Sequence, residues 1–173
     1  MAMTVKAAIA ALNLAIQTER DGYTFYQEAA TRTANVQAQA LFRSLAEDEI
    51  AHEAYLRNRL AALEQAPSWD DVTAEALPPS KLPRRGAPIF TEAQLEAGMR
   101  DYTSELSALR TAYLLERDAV NFYARAAEQT ARPTAQTIFQ ELAAMEKLHR
   151  DILEQEYNLL SEQFKREMGF EPF

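Results

Sequence analysis

The chain repeats itself. Residues 12–56 lie on residues 109–153 at a shift of 97 with no gap, and nineteen of the forty-five paired positions are identical. Leu12 meets Leu109, Ala15 meets Ala112, Glu19-Arg20-Asp21 meets Glu116-Arg117-Asp118, and Phe25-Tyr26 meets Phe122-Tyr123. Further on, Thr33-Ala34, Ala38-Gln39, Phe42 and Leu45-Ala46 return as Thr130-Ala131, Ala135-Gln136, Phe139 and Leu142-Ala143. Self-similarity of this kind restricts the fold more than any other feature of the sequence. The apolar positions recur every three or four residues, the spacing of one face of a helix. A duplicated helical hairpin therefore folds as an all-α four-helix bundle, its copies related by a pseudo-two-fold axis and joined by a long crossover.

The elements follow from periodicity and punctuation. A first helix runs over about 4–31, with Val5, Ile9, Leu12, Ile16, Tyr23 and Tyr26 along an apolar stripe. Asn35 caps a second, which continues through Leu41, Leu45, Leu56 and Leu60 to about 64. The character then changes: Pro67, Pro78, Pro79, Pro83 and Pro88 rule out a long helix. Residues 65–103 are thus the crossover, with room for one short capped turn from Ser68 and a capping box at Thr91 and Gln94. Trp69, Ile89 and Phe90 give it apolar groups to dock with. The second hairpin covers about 104–160, its last helix opening at Pro133, and 161–173 form an amphipathic tail. At 173 residues the whole makes one domain.

Several function classes drop out. A net charge of −8 disfavours nucleic acid and anionic membrane, because phosphates reward a basic surface. No apolar run is long enough to cross a bilayer. Lys6 ahead of an Ala-rich stretch has the look of a leader, but Asn13 interrupts it and helical periodicity continues into Glu19, so a first helix and a cytoplasmic protein are expected. The absence of cysteine removes disulfides, thiolate metal sites and a catalytic thiol. Any metal must be held by carboxylate and imidazole, ligands that suit iron, manganese or zinc.

Such ligands are present in pattern. The two histidines, His52 and His149, each follow a glutamate by three residues, Glu49 and Glu146. On a helix that spacing places both groups on one face about a turn apart. With Glu near a tenth of the chain, chance supplies both partners about once in a hundred on composition. Glu19 and Glu116 fall on the apolar stripes of helices 1 and 3. A lone buried carboxylate costs several kcal/mol unless it is paired or bound to metal. Four carboxylates and two imidazoles from four helices match a pair of divalent ions and leave the site neutral. The competing reading of each Glu–His pair is an ordinary exposed helix contact; for Tyr26 and Tyr123 it is core packing. Tyr23 and Tyr113 read as core, Arg20-Asp21 and Arg117-Asp118 as surface ion pairs, and Gly22 as a point of close helix approach.

E-(x)6-Y on helices 1 and 3, with E-x-x-H on helices 2 and 4, resembles the ferritin-like di-iron carboxylate proteins, most closely the rubrerythrin branch without its rubredoxin domain. The resemblance covers nearly everything outside the crossover and tail. It implies two iron ions, with manganese or zinc as substitutes. Glu49 and Glu146 would bridge both; Glu19 with His52 would complete one ion and Glu116 with His149 the other. Tyr26 and Tyr123 would hydrogen-bond the carboxylates. The implied activity is reduction of hydrogen peroxide or dioxygen with electrons from an external donor such as a rubredoxin-like protein. Rubrerythrins usually carry a further glutamate on helix 3, whereas Tyr113 and Ala119 stand three residues either side of Glu116. Ferritin-like iron oxidation and storage, and a helical interaction module with a degenerate site, are the alternatives. A homodimer is expected, and hairpins joined by so long a crossover could exchange within it.

Overall fold

The computed structural model of the chain describes residues 5–65, 76–82, 102–130 and 132–169. Among them are four helices and no strand: α1 (Val5–Arg32), α2 (Val36–Gln65), α3 (Tyr102–Gln129) and α4 (Pro133–Glu167). The helices begin where local chemistry dictates. Asn35 Oδ1 accepts the Ala38 N–H at 2.8 Å and caps α2. Pro133 occupies the first turn of α4, where a missing N–H costs nothing. Both interhelical turns use one lock: Gln39 Nε2 donates to the Thr33 carbonyl at 2.9 Å, and Gln136 Nε2 to that of Thr130 at 2.8 Å.

The backbones of α1 and α2 approach closely along their length, as do those of α3 and α4, while α1 and α3 stay further apart. Tyr26 on α1 donates to Glu116 on α3, and Tyr123 on α3 donates to Glu19 on α1. Seven residues forward on one helix is seven back on the other, so the two run antiparallel. The His52 and His149 rings stack 5.5 Å apart at 14°, joining α2 to α4 across the middle of the bundle. The two hairpins are therefore related by an axis perpendicular to the bundle, as the repeat requires.

Two apolar clusters flank that middle. One gathers Tyr26, Leu41, Phe42, Leu45, Leu109 and Leu153; the other gathers their repeat partners Tyr123, Ile138, Phe139, Leu142, Leu12 and Leu56. Leu82, from the crossover, is buried in the first. No described helix is long and apolar enough to cross a membrane.

Two expectations change. The last helix continues past 160 to Glu167, because Tyr157 and Phe164 extend the stripe of Leu153 and Leu160 against the first cluster. Tyr23 is 36% exposed rather than core. Four residues beyond Glu19 is 40° off that residue's direction on a helical wheel, whereas Tyr26, seven beyond, returns to it. The crossover features at 66–75 and 83–101, including the turn from Ser68 and the capping box at Thr91, lie outside the described residues.

Candidate metal centre

Between the two clusters the core turns acidic. Glu19, Glu49, His52, Glu116, Glu146 and His149 are each 4% exposed or less, and all six converge. They form two groups whose ligand atoms lie within 4.8 Å of one another: Glu19, Glu49, His52 and Glu146, then Glu49, Glu116, Glu146 and His149. Glu49 and Glu146 belong to both. His52 Nδ1 stands 3.1 Å from Glu19, 3.8 Å from Glu49 and 3.0 Å from Glu146. His149 Nδ1 stands 3.0 Å from Glu146, 3.5 Å from Glu116 and 3.9 Å from Glu49. The pseudo-two-fold axis runs through the centre of this constellation.

Whether these groups fit a metal pair is tested by their unused lone pairs. Both oxygens of Glu146 and Nδ1 of His149 are buried with no hydrogen-bond partner among the described residues. Unpartnered buried polar atoms of this kind are rare, and here all three lie on α4 and face the same centre. An oxygen- and imidazole-lined site of four carboxylates and two histidines suits a divalent pair of the iron, manganese or zinc type. The donors fit.

Crowding distorts the ionisation of the metal-free cluster. Burial, with the Glu146 and Glu19 charges added, pushes Glu49 well above the usual carboxylate range. Burial and Glu146 likewise raise Glu116 to about 7. Burial opposes the charge on His52, but the Glu146 and Glu19 carboxylates outweigh it and hold the imidazole at about 10. His149 is raised in the same way, against burial, by Asp48, Glu116 and Glu146. Glu146, between both imidazoles, is driven below the ordinary carboxylate value despite its burial. Protons on the histidines thus do the neutralising that bound cations do in a loaded site.

Tyr26 and Tyr123 contact the carboxylates as expected, but each crosses the interface. Tyr26 serves Glu116 and Tyr123 serves Glu19, rather than the glutamate on its own helix. Burial first, and then the adjacent carboxylates, raise both phenols well above 10, so both remain donors. Arg20 pairs with Glu53 at 2.7 Å and Arg117 with Asp118 at 2.9 Å, both at the surface. Gly22 does mark a close approach, though to a side chain: a Cβ there would stand 3.2 Å from Glu49 Cδ.

A cleft reaches the site. About 410 Å³ in volume, it runs between α1 and α3 from Leu115 at its rim past Gly22 and Ala119 to Glu19, Glu49, Glu116 and Glu146. Gly22 and Ala119 keep it open because neither carries a side chain that would fill it.

One contributor escaped the sequence reading. Asp48, 3% exposed, lies 3.1 Å from His149 Nε2 through Oδ2. Its repeat partner is Met145, so duplication, the filter that singled out the other six residues, discards it. An acid directly before Glu49 on a mostly apolar helical face was the available signal.

The sequence model of the rubrerythrin family matches residues 10–157, a span that includes all six converging residues. No curated protein and no solved structure matches the chain.

Proposed function

The chain belongs to the rubrerythrin family, and from that premise we propose that it is a cytoplasmic di-iron oxidoreductase reducing hydrogen peroxide, or dioxygen, with electrons from an external donor. The observation that carries this reading is the sharing of Glu49 and Glu146 between two four-residue groups with an open cleft beside them. Glu49 and Glu146, common to both groups, would be shared between the two ions; Glu19 and His52 would complete one position, Glu116 and His149 the other. Two Fe(II) held there would supply together the two electrons that, with two protons, reduce one hydrogen peroxide to two waters; dioxygen would need a second pair from the external donor.

The protein's own groups supply the rest. Tyr26 and Tyr123 fix the terminal carboxylates Glu116 and Glu19 by donating to them across the α1–α3 interface. The flanking apolar clusters keep bulk water from the carboxylates on either side along the bundle, and the cleft gives a small oxidant a way to them. Neither position three residues from Glu116 carries the further glutamate usual in the family, and Ala119 lines the cleft beside Glu49, Glu116 and Glu146. These 173 residues contain no cysteine and so no thiolate-held cluster, and the reading draws its electrons from an external donor of rubredoxin type. The reading also includes a homodimer, with exchange of hairpins through the crossover as its variant.

An anaerobic Fe(II) titration followed by a peroxide pulse tests the proposal. Two irons per chain and faster oxidation by peroxide than by oxygen are expected, and Glu49→Ala abolishes the fast phase while the far-ultraviolet signal stays helical. Many irons per chain in a large hollow assembly would replace this reading with iron storage. No uptake of Fe(II), Mn(II) or Zn(II), with an unchanged melting temperature, would leave a helical interaction module.

A further inference from the structure

The repeat is broken at one buried carboxylate. Asp48 sits on α2 immediately before Glu49, and His149 Nε2 faces its Oδ2 at 3.1 Å. The Ser80 hydroxyl donates to that same oxygen, and the Lys81 amide reaches Oδ1 and Oδ2 at 3.0 and 3.2 Å. Ser80 Oγ in turn accepts the Leu82 amide at 3.1 Å, and the Leu82 side chain is buried in the first apolar cluster. Lys81 Nζ stands 2.6 Å from Glu47 at the surface. Residues 80–82 of the crossover are thus fastened onto α2 around a single carboxylate, and that carboxylate holds the outer nitrogen of a site histidine.

The geometry defines the histidine. Asp48 faces Nε2 and, accepting only, favours the proton there; when the ring is neutral, Nδ1, 3.0 Å from Glu146, is the nitrogen left to a cation. A carboxylate behind a ligating imidazole fixes its ring and raises its basicity. The repeat supplies no equivalent carboxylate for His52. The position related to Asp48 by the repeat is Met145, whose thioether is only a weak acceptor. A crossover that occurs once in the chain cannot be duplicated by a repeat.

We propose that Asp48, clamped by Ser80 and the Lys81 amide, is a positioning residue that makes the two metal positions inequivalent, with the ion beside His149 bound more tightly than the ion beside His52. This rests on the metal-centre reading above.

The experiment is an anaerobic titration of the full chain with Co(II), followed by visible absorbance and calorimetry. Wild type is expected to fill in two resolved steps. Asp48→Ala weakens the tighter step by about 10–100-fold and leaves the weaker one in place. Ser80→Ala, which keeps the carboxylate and disturbs only its clamp, weakens the same step by a smaller factor; it also carries the test if the Asp48 variant fails to fold. Met145→Asp, installing the missing partner, tightens the weaker step. A purely structural role would shift both steps together or lower stability alone. Equal shifts of both steps, or no shift in Asp48→Ala and Ser80→Ala, overturn the proposal. A wild-type chain that takes up no cobalt overturns the metal-centre reading beneath it, a different and separable result.

Discussion

Four acids within one core are tolerable without metal only because protons take the place of cations, and that makes stability depend on pH in a definite direction. Glu116 ionises near 4.5 in an unfolded chain and near 7 when folded, so its contribution is complete below 4.5 and is lost as pH rises to 7. His52 moves from 6.5 to about 10, so its contribution is complete below 6.5 and fades as pH climbs toward 10. Both slopes have the same sign. The depressed acids Glu146 and Asp48 act oppositely, but only in acid, below the ordinary carboxylate values. The metal-free protein should therefore melt at steadily lower temperature from pH 5.5 to pH 9, measured by circular dichroism in chelator; a flat or rising trend would contradict the assigned protonation. Tyr26→Phe and Tyr123→Phe should each cost about 1.5–3 kcal/mol, since each removes a buried hydrogen bond to a carboxylate. Pseudo-symmetry requires the two costs to be similar, which denaturant titration of both variants checks. What was legible at this scale follows the same symmetry. The six converging residues stood out because they occur twice, and Asp48 stayed hidden because Met145 occupies its mirror position.

At the scale of elements, helix positions and both turns could be read from periodicity, from Asn35 and from Pro133, since each acts within a few residues of itself. The end of α4 could not: Phe164 prolongs the helix by docking on a cluster assembled from other elements, a gain that no local pattern records. Tyr23 differs for a local reason: it lies 40° round α1 from Glu19, at the edge of the stripe that Tyr26 continues. Gly22 separates two effects that usually travel together. In the interior of α1, Gly→Ala favours the helix by about 1 kcal/mol. The same methyl group would press on the Glu49 carboxylate from 3.2–3.3 Å and move it by a few tenths of an ångström. Gly22→Ala should consequently leave the metal-free melting temperature equal or higher while weakening metal uptake. Calorimetric titration beside a thermal melt reads both. Unchanged uptake would mean that Glu49 yields without leaving the two ligand groups it belongs to.

For the whole molecule, the repeat predicts how bound ions connect the halves. Each hairpin is closely packed within itself, and the centre is where the hairpins meet through polar groups. One ligand group takes Glu19, Glu49 and His52 from the first hairpin and Glu146 from the second; the other takes Glu116, Glu146 and His149 from the second and Glu49 from the first. Either ion is thus a staple between hairpins, anchored three to one. A ligand present at a hundred times its dissociation constant stabilises a folded protein by about 2.7 kcal/mol per site. For a chain of this size, one kcal/mol moves the midpoint by about 2–4 °C. Saturating both positions with Mn(II) or Zn(II) should accordingly raise the melting temperature by about 10–20 °C. The substitutions that erode this gain should fall into two classes. Glu49→Ala and Glu146→Ala each remove a ligand from both groups and should abolish nearly all of it. Glu19→Ala and Glu116→Ala each touch one group and should leave about half. Comparing the metal-induced shift, rather than the absolute melting temperature, cancels whatever each substitution does to the metal-free fold. Equal losses from all four variants would show that no carboxylate is shared, and the paired centre would then give way to two independent sites or to one.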